Sequence, residues 1–348
     1  MKTTTAAGRT WHFSHSIGRE TAEHNGDVGG FMHPVDVAYA ADGILFVLSR
    51  GFGHKPAFRD ADVGKRIGKT TIDELHLGDF ARNGFTWPTG IAISADGTVF
   101  CTDEYENNVS AFDPNGIVEF PEYDPDGESL FQWGESGAEP GQLSGPTGLT
   151  FDGDDNAVVV NSGNDRVQKF TREGRHLMGW GSHGSAEGQF DRPWGVTIDG
   201  EGCVYIADWG NSRVQKFTGE GDYLMTFGSN GQGNELDHPA SVAVDSEGDV
   251  YVTDWGNRRV QIFEPNGDVI TSLYGDVVEL SKAGHLIVNR DSENIRTFHQ
   301  VDHALSTTVT FKRPTGITIT EDDRVIVADT RGRLLVYDKD NDYVAPTV

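Results

Sequence analysis

Short runs of β-branched and aromatic residues recur along the chain, each cut off by Gly, Asp, Asn or Pro. They are apolar throughout rather than strictly alternating, as expected of strands buried on both faces, and no amphipathic helical period accompanies them. The runs fall into a repeating frame. Arg192-Pro193-Trp194-Gly195-Val196-Thr197-Ile198-Asp199 is matched by His238-Pro239-Ala240-Ser241-Val242-Ala243-Val244-Asp245. Each is followed by an apolar run ending in Asp-Trp-Gly-Asn, at Asp208 to Asn211 and Asp254 to Asn257, then Arg-Val-Gln and a closing Phe217 or Phe263. The frame returns at Pro34, Pro88, Pro146 and Pro314, and a degenerate copy runs from Val277 to Phe298 with Gly275 in the proline slot.

Four runs per unit of about 40–50 residues predict the blade of a β-propeller. The expected fold is all-β: a single propeller domain over residues 1–348, built of four-stranded antiparallel blades. Seven repeats are counted, or six blades if residues 275–312 are an insertion. The last unit stops after its third strand, at Leu334 to Tyr337, and residues 10–17 offer the strand that would complete it and close the ring, removing two sheet edges.

The units resemble the NHL-repeat family, whose pattern is Pro-x-Gly-Val-Ala-x-Asp, Gly-x-Val-Tyr-Val-x-Asp and Asn-x-Arg-Val-x-x-Phe. The resemblance covers about residues 10–338 and implies the propeller fold. The family includes RNA-reading and protein-binding modules and a free-standing enzyme, peptidyl-α-hydroxyglycine α-amidating lyase. Leu45 to Gly51 is distantly similar to that lyase's first blade, where an Arg-Gly supplies a substrate-contacting arginine, which implies a site role for Arg50. The lyase holds zinc through histidines placed just after the blade prolines. Here those slots are Val35, Thr89, Thr147, Trp194, Ala240 and Thr315, so the same metal chemistry is not expected.

Charge narrows the partners. With 54 acidic and 28 basic residues the formal charge is -26, which argues against nucleic acid and anionic membranes, both of which select cations. There is no apolar leader and no run long enough to span a membrane, so a cytoplasmic protein is expected. Cys101 and Cys203 lie in apolar runs of different repeats and read as small hydrophobes rather than a disulfide. The glycine excess, 44 residues in all, reads as turn chemistry repeated blade after blade. Arginine outnumbers lysine 19 to 9.

Motif matches are weak. Gly179 to Gly184 spells a dinucleotide fingerprint but parallels Trp133 to Gly137 and Phe227 to Gly231, so it reads as an inter-blade turn. Asp338, Asp340 and Asp342 imitate a calcium loop, yet Tyr343 stands where glycine is needed; a frayed acidic tail is expected. Asp103, Asp208, Asp254 and Asp329 share one slot and should cap the turn that follows through its backbone N–H groups.

The informative positions break the repeat. In a propeller, the loops entering the innermost strands share a face with the loops after the second strands. The first set brings His33, Trp87, Gly145, Arg192, His238 and Arg313, with Tyr274 in the degenerate copy. The second brings Arg50, Glu104, Ser162, Trp209, Trp255, Arg290 and Arg331. Arginine suits planar carboxylates and phosphates, and tryptophan offers stacking faces. The expected ligand is a small anionic or polar molecule, or a peptide, in a funnel lined by Trp87, Arg192, Trp194, Trp209, Trp255, Arg290, Arg313 and Arg331. For catalysis the candidates are Arg50 and Arg290 on an anion, His33 or His238 as acid or base, and Glu104 as base in a dry site. No metal ligands and no resident cofactor are expected, zinc and calcium being left open. Two functions follow: a lyase, hydrolase or isomerase acting in the funnel, or a non-catalytic scaffold whose wide face holds a protein or peptide.

Overall fold

The computed structural model describes residues 2–18, 31, 33–51, 65–81, 85–115, 129–228, 235–277, 281–282 and 309–343. Among them the strands form six sheets, five of four strands and one of five, all antiparallel between neighbours. The innermost strands are Pro34–Ala40, Pro88–Ile93, Pro146–Phe151, Pro193–Ile198, Pro239–Val244 and Pro314–Ile319. Each packs on the next, and the sixth packs on the first. The ring therefore closes with six blades. The count of seven is corrected: the innermost strand of blade five lies directly against that of blade six, leaving no place for a blade between them. Most of the degenerate copy, Arg290 included, lies outside the described residues.

The N-terminal strand Arg9–Gly18 pairs with Arg333–Asp340 and completes blade six. Thr3–Ala6 then adds an outer fifth strand that the apolar pattern did not reveal, since it is mostly threonine. The C-terminal strand runs on to Asp340, so Asp338 and Asp340 belong to a paired strand and not to a frayed tail. Closure is also electrostatic. The Lys339 ammonium is fully buried between Asp245 (2.5 Å), Asp249 (3.0 Å) and Glu247 (2.8 Å), and Arg9 Nε lies 2.7 Å from Asp249. Trp11 Nε1 donates to Tyr251 Oη, which donates in turn to Asp245. Both chain ends are thus tied to blade five.

Around the axis, neighbouring innermost strands are joined by threonine hydroxyls. Thr89 donates to Pro146 O, Thr147 to Pro193 O and Thr315 to Pro34 O, at 3.0, 3.3 and 2.9 Å. Three of the six slots just after the blade prolines thus serve as inter-blade seams. The glycine of Pro-x-Gly has a packing reason: a Cβ on Gly90 would fall 2.2 Å from Thr147 O, and one on Gly148 2.6 Å from Trp194 O.

Blade one breaks that rule with Asp36, a departure missed by reading only the loops. It faces a central cavity of about 230 Å³ lined by all six innermost strands. One oxygen accepts the Ile91 N–H of blade two at 3.0 Å and the other its own neighbour Val37 N–H at 2.9 Å. Burial pushes the carboxyl up from 3.8 to about 7, against the pull of those two N–H groups. The folded state thus keeps a proton that the unfolded chain releases, and stability falls as pH rises through that interval. Relative to Asp36→Asn, the wild type is expected to lose a few kcal/mol between about pH 4 and pH 7 and then stay level. Urea denaturation across that range checks this; parallel curves for the two proteins would refute it.

The repeat-slot aspartates are buried caps, but backbone capping of the turn that follows holds only for Asp103, on Tyr105 and Glu106. Their main partners are the N–H groups of the loop entering the innermost strand: Thr86 and Trp87 on Asp103, Asp191 on Asp208, Asp237 on Asp254, Lys312 and Arg313 on Asp329. Arg213, Arg259 and Arg333 of the Arg-Val-Gln slot pair with Asp208, Asp254 and Asp329, while Arg166 donates to the carbonyls of Ala138, Glu139 and Gln142. Part of the arginine excess is therefore framework, where a planar fork fits several acceptors at once. Cys101 and Cys203 are free, the first buried and the second partly so.

Candidate functional site on the upper face

Backbone hydrogen bonds bring the two loop sets together. Arg50 N–H donates to His33 O, Glu104 to Trp87, Ser162 to Gly145, and Thr330 to Arg313, at 3.0–3.2 Å. Blades four and five shift by one residue, with Gly210 N–H on Asp191 O and Gly256 N–H on Asp237 O. The expected pairing of loops on one face holds. Blade six is a correction in register: Thr330 occupies the slot assigned to Arg331.

The slot before the proline is conformationally special. Gly145 has φ of 54°, and His33 (51°), Arg192 (49°) and His238 (54°) adopt the same left-handed backbone. A residue with a Cβ is strained there, at about 1–2 kcal/mol. Three blades thus place a cationic or titratable side chain where glycine fits without strain.

At the seam of blades four and five these side chains converge. His238 Nδ1 makes a short contact with Asp237 Oδ1, and the His238 backbone N–H donates to Ser212 Oγ. The imidazole centroid is 4.1 Å from that of Trp209, and the Arg192 guanidinium lies 4.8 Å from the same indole. Arg192 also pairs with Asp191 at 3.2 Å while remaining largely exposed. The glycine of Asp-Trp-Gly-Asn makes room for the acids: a Cβ on Gly210 would fall 2.5 Å from Asp191 Cγ, and one on Gly256 2.2 Å from Asp237 Cγ. A carboxylate on Nδ1 fixes that nitrogen as donor and leaves Nε2 as the accepting atom. Trp209, Arg192 and His238 together offer a stacking face, an anion-binding fork and an acid–base group.

Two other pairs line the rim. Arg50 lies 4.7 Å from the Trp87 ring and 2.8 Å from Glu104, so the two expected catalytic groups meet as an ion pair. Arg313 sits 4.2 Å from the Trp255 ring and donates to Trp255 O at 3.3 Å. The sequence candidates therefore form three clusters rather than one: Arg50, Trp87 and Glu104; Arg192, Trp209 and His238; Trp255 and Arg313. His33 is half-buried in blade one, two blades round the ring from His238. Trp194 belongs to the wall of the central cavity, below the face. Asp237 was not singled out from the sequence, although the signal was present: Asp237-His238 and Asp191-Arg192 occupy matching positions.

Fold and face together define a six-bladed β-propeller with arginine–tryptophan stacks around one rim. The NHL repeat model matches residues 190–217 and 236–263, the cores of blades four and five. No curated protein matches the chain. Among solved structures, a protein of unknown function from Bacteroides thetaiotaomicron aligns at 15% identity and a TM-score of 0.62, covering 95% of this chain and 76% of that one. A catalytically inactive histidine-to-alanine variant of virginiamycin B lyase from Staphylococcus aureus, with quinupristin, aligns at 12% identity and a TM-score of 0.55, covering 94% and 99%. The WD40 propeller domain of Doa1 aligns at 10% and 0.55, covering 94% and 97%. At these identities the likeness is one of fold. No helix among the described residues is long and apolar enough to cross a membrane.

Proposed function

We propose that this propeller is an enzyme of lyase, hydrolase or isomerase type acting on a small anionic or polar molecule, with His238 as its acid–base group. The observation that carries this reading is the His238–Asp237 pair held in a strained backbone beside Trp209. A carboxylate behind Nδ1 orients the ring, so that Nε2 can take a proton from a substrate stacked on the indole. Arg192, exposed and on the same indole, would hold the anionic group of the substrate. Arg50 is engaged with Glu104, so Arg192 is the better anion ligand of the two. A lyase of similar fold is catalytically inactive with a histidine replaced by alanine, which supports the reading by analogy.

The test is a thermal-shift screen of the wild type against organic acids, phosphates, sugars and aromatic carboxylates. A compound at 100 times its Kd should stabilise by about 2.7 kcal/mol. Arg192→Ala should weaken its binding about tenfold or more, while Arg50→Ala leaves it nearly unchanged. Equal loss in both variants, or stabilisation that persists in Arg192→Ala, would move the site away from blades four and five.

A further inference from the structure

The seam between blades three and four carries a set of side chains that the proposed chemistry does not use. Asp165, His183 and Asp191 place one ligand atom each within 4.8 Å of one another. His183 Nδ1 and Asp165 Oδ2 are 2.9 Å apart, and the imidazole is three-quarters exposed, at 75%. Asp191 is held against Gly210.

The repeat provides an internal control. At the seam of blades two and three the same positions are Asn107, Ser136 and Ser144. Asn107 Oδ1 accepts the Gly145 N–H at 2.7 Å, as Asp165 Oδ1 accepts the Arg192 N–H at 2.6 Å. Asn107 Nδ2 donates to Ser136 Oγ at 3.3 Å, in place of the His183–Asp165 contact. Ser144 N–H meets Asn161 Oδ1 at 2.7 Å, as Asp191 N–H meets Asp208 Oδ1 at 2.9 Å. Neutral residues therefore perform every framework role of these slots. Replacing all three together with aspartate, histidine and aspartate adds donor capacity that the framework does not require. In Asp165 one oxygen does the capping and the other is turned to the imidazole.

We propose that Asp165, His183 and Asp191 form a binding site for a divalent first-row metal ion, zinc or manganese, at the rim of the upper face. One imidazole and two carboxylates are a mixed nitrogen and oxygen donor set suited to these ions. Ligands at about 2.0–2.2 Å in a tetrahedron lie roughly 3.4 Å apart, so side-chain rotations of the exposed His183 close the site. Aqueous ligands would fill the remaining positions. The Asp191–Arg192 pair (3.2 Å) opens when Asp191 turns to the ion, which leaves the guanidinium on Trp209 free to face a ligand.

The test uses full-length, untagged protein stripped with a chelator and titrated with zinc, by calorimetry, and with manganese, by electron paramagnetic resonance. One equivalent is expected in the wild type. The double variant Asp165→Asn, His183→Ser copies the neighbouring seam, so it keeps the caps and the fold while binding falls at least tenfold. Unchanged one-equivalent binding in that variant, or none in the wild type up to millimolar metal, would overturn the proposal. The readout is metal binding itself and is independent of the role given to His238.

Discussion

Replacing Lys339 with methionine is expected to cost about 3–5 kcal/mol of stability, the usual penalty for removing one partner of a buried ion pair. The ammonium is fully buried among three carboxylates, two of which, Asp245 and Asp249, are themselves buried. Burial alone would lower its pKa, but Asp245, Glu247 and Asp249 outweigh burial and hold it above the ordinary lysine range. At Asp249 burial wins instead, pushing its carboxyl up despite Lys339. The loss arises chiefly from acids left without a counter-charge. Adding Asp245→Asn and Asp249→Asn to Lys339→Met should therefore restore much of it. Urea denaturation of the single and triple variants measures both. A single variant as stable as the wild type would show that the closure rests on strand pairing and apolar packing alone.

His238→Gly should separate structure from function. Glycine adopts the left-handed backbone without strain, so melting is expected to be unchanged or slightly raised, the relief of about 1 kcal/mol offsetting the lost Asp237 contact. Turnover should drop by about 10²–10⁴, the typical contribution of a positioned acid–base group. A purely structural histidine gives the opposite pattern, lower melting with activity intact. The expected pair of effects follows from Gly145, which already occupies this slot in blade three with the same backbone.

Much of the fold was legible in the sequence because a propeller repeats its physical solutions. Proline, glycine and aspartate recur at fixed offsets, and each proved to have a local cause: Gly148 admits Trp194 O, and Asp208 caps Asp191. The count of blades was less legible, since Val277 to Phe298 has the apolar pattern of a repeat while the innermost strands of blades five and six lie directly against each other. The outer strand Thr3–Ala6 escaped notice because edge pairing needs hydrogen bonds, not apolar residues.

For the site, the loops and the arginine–tryptophan content were readable from topology. Partnerships were not. Nothing in composition tells that Arg50 is spent on Glu104 while Arg192 keeps an exposed edge, or that Asp165 and His183, 18 residues apart, meet across a strand and a turn. Those contacts depend on the stagger between neighbouring blades, which is set only in the folded ring. Comparing blades slot by slot recovers part of the missing signal. Asp36, Asp165 and His183 all stand where sibling blades carry residues of another kind.

The most direct measurement is mass spectrometry of a mixture of organic acids, phosphates, sugars and small peptides incubated with the wild type and with His238→Gly. The account predicts that the wild type consumes at least one compound at a catalytic rate and releases a product, while the variant, equally folded, leaves it intact. Consumption by both proteins alike would remove His238 from the chemistry. No consumption by the wild type, with a protein or peptide bound to the Trp209 face instead, would contradict the enzymatic reading and leave the propeller a scaffold.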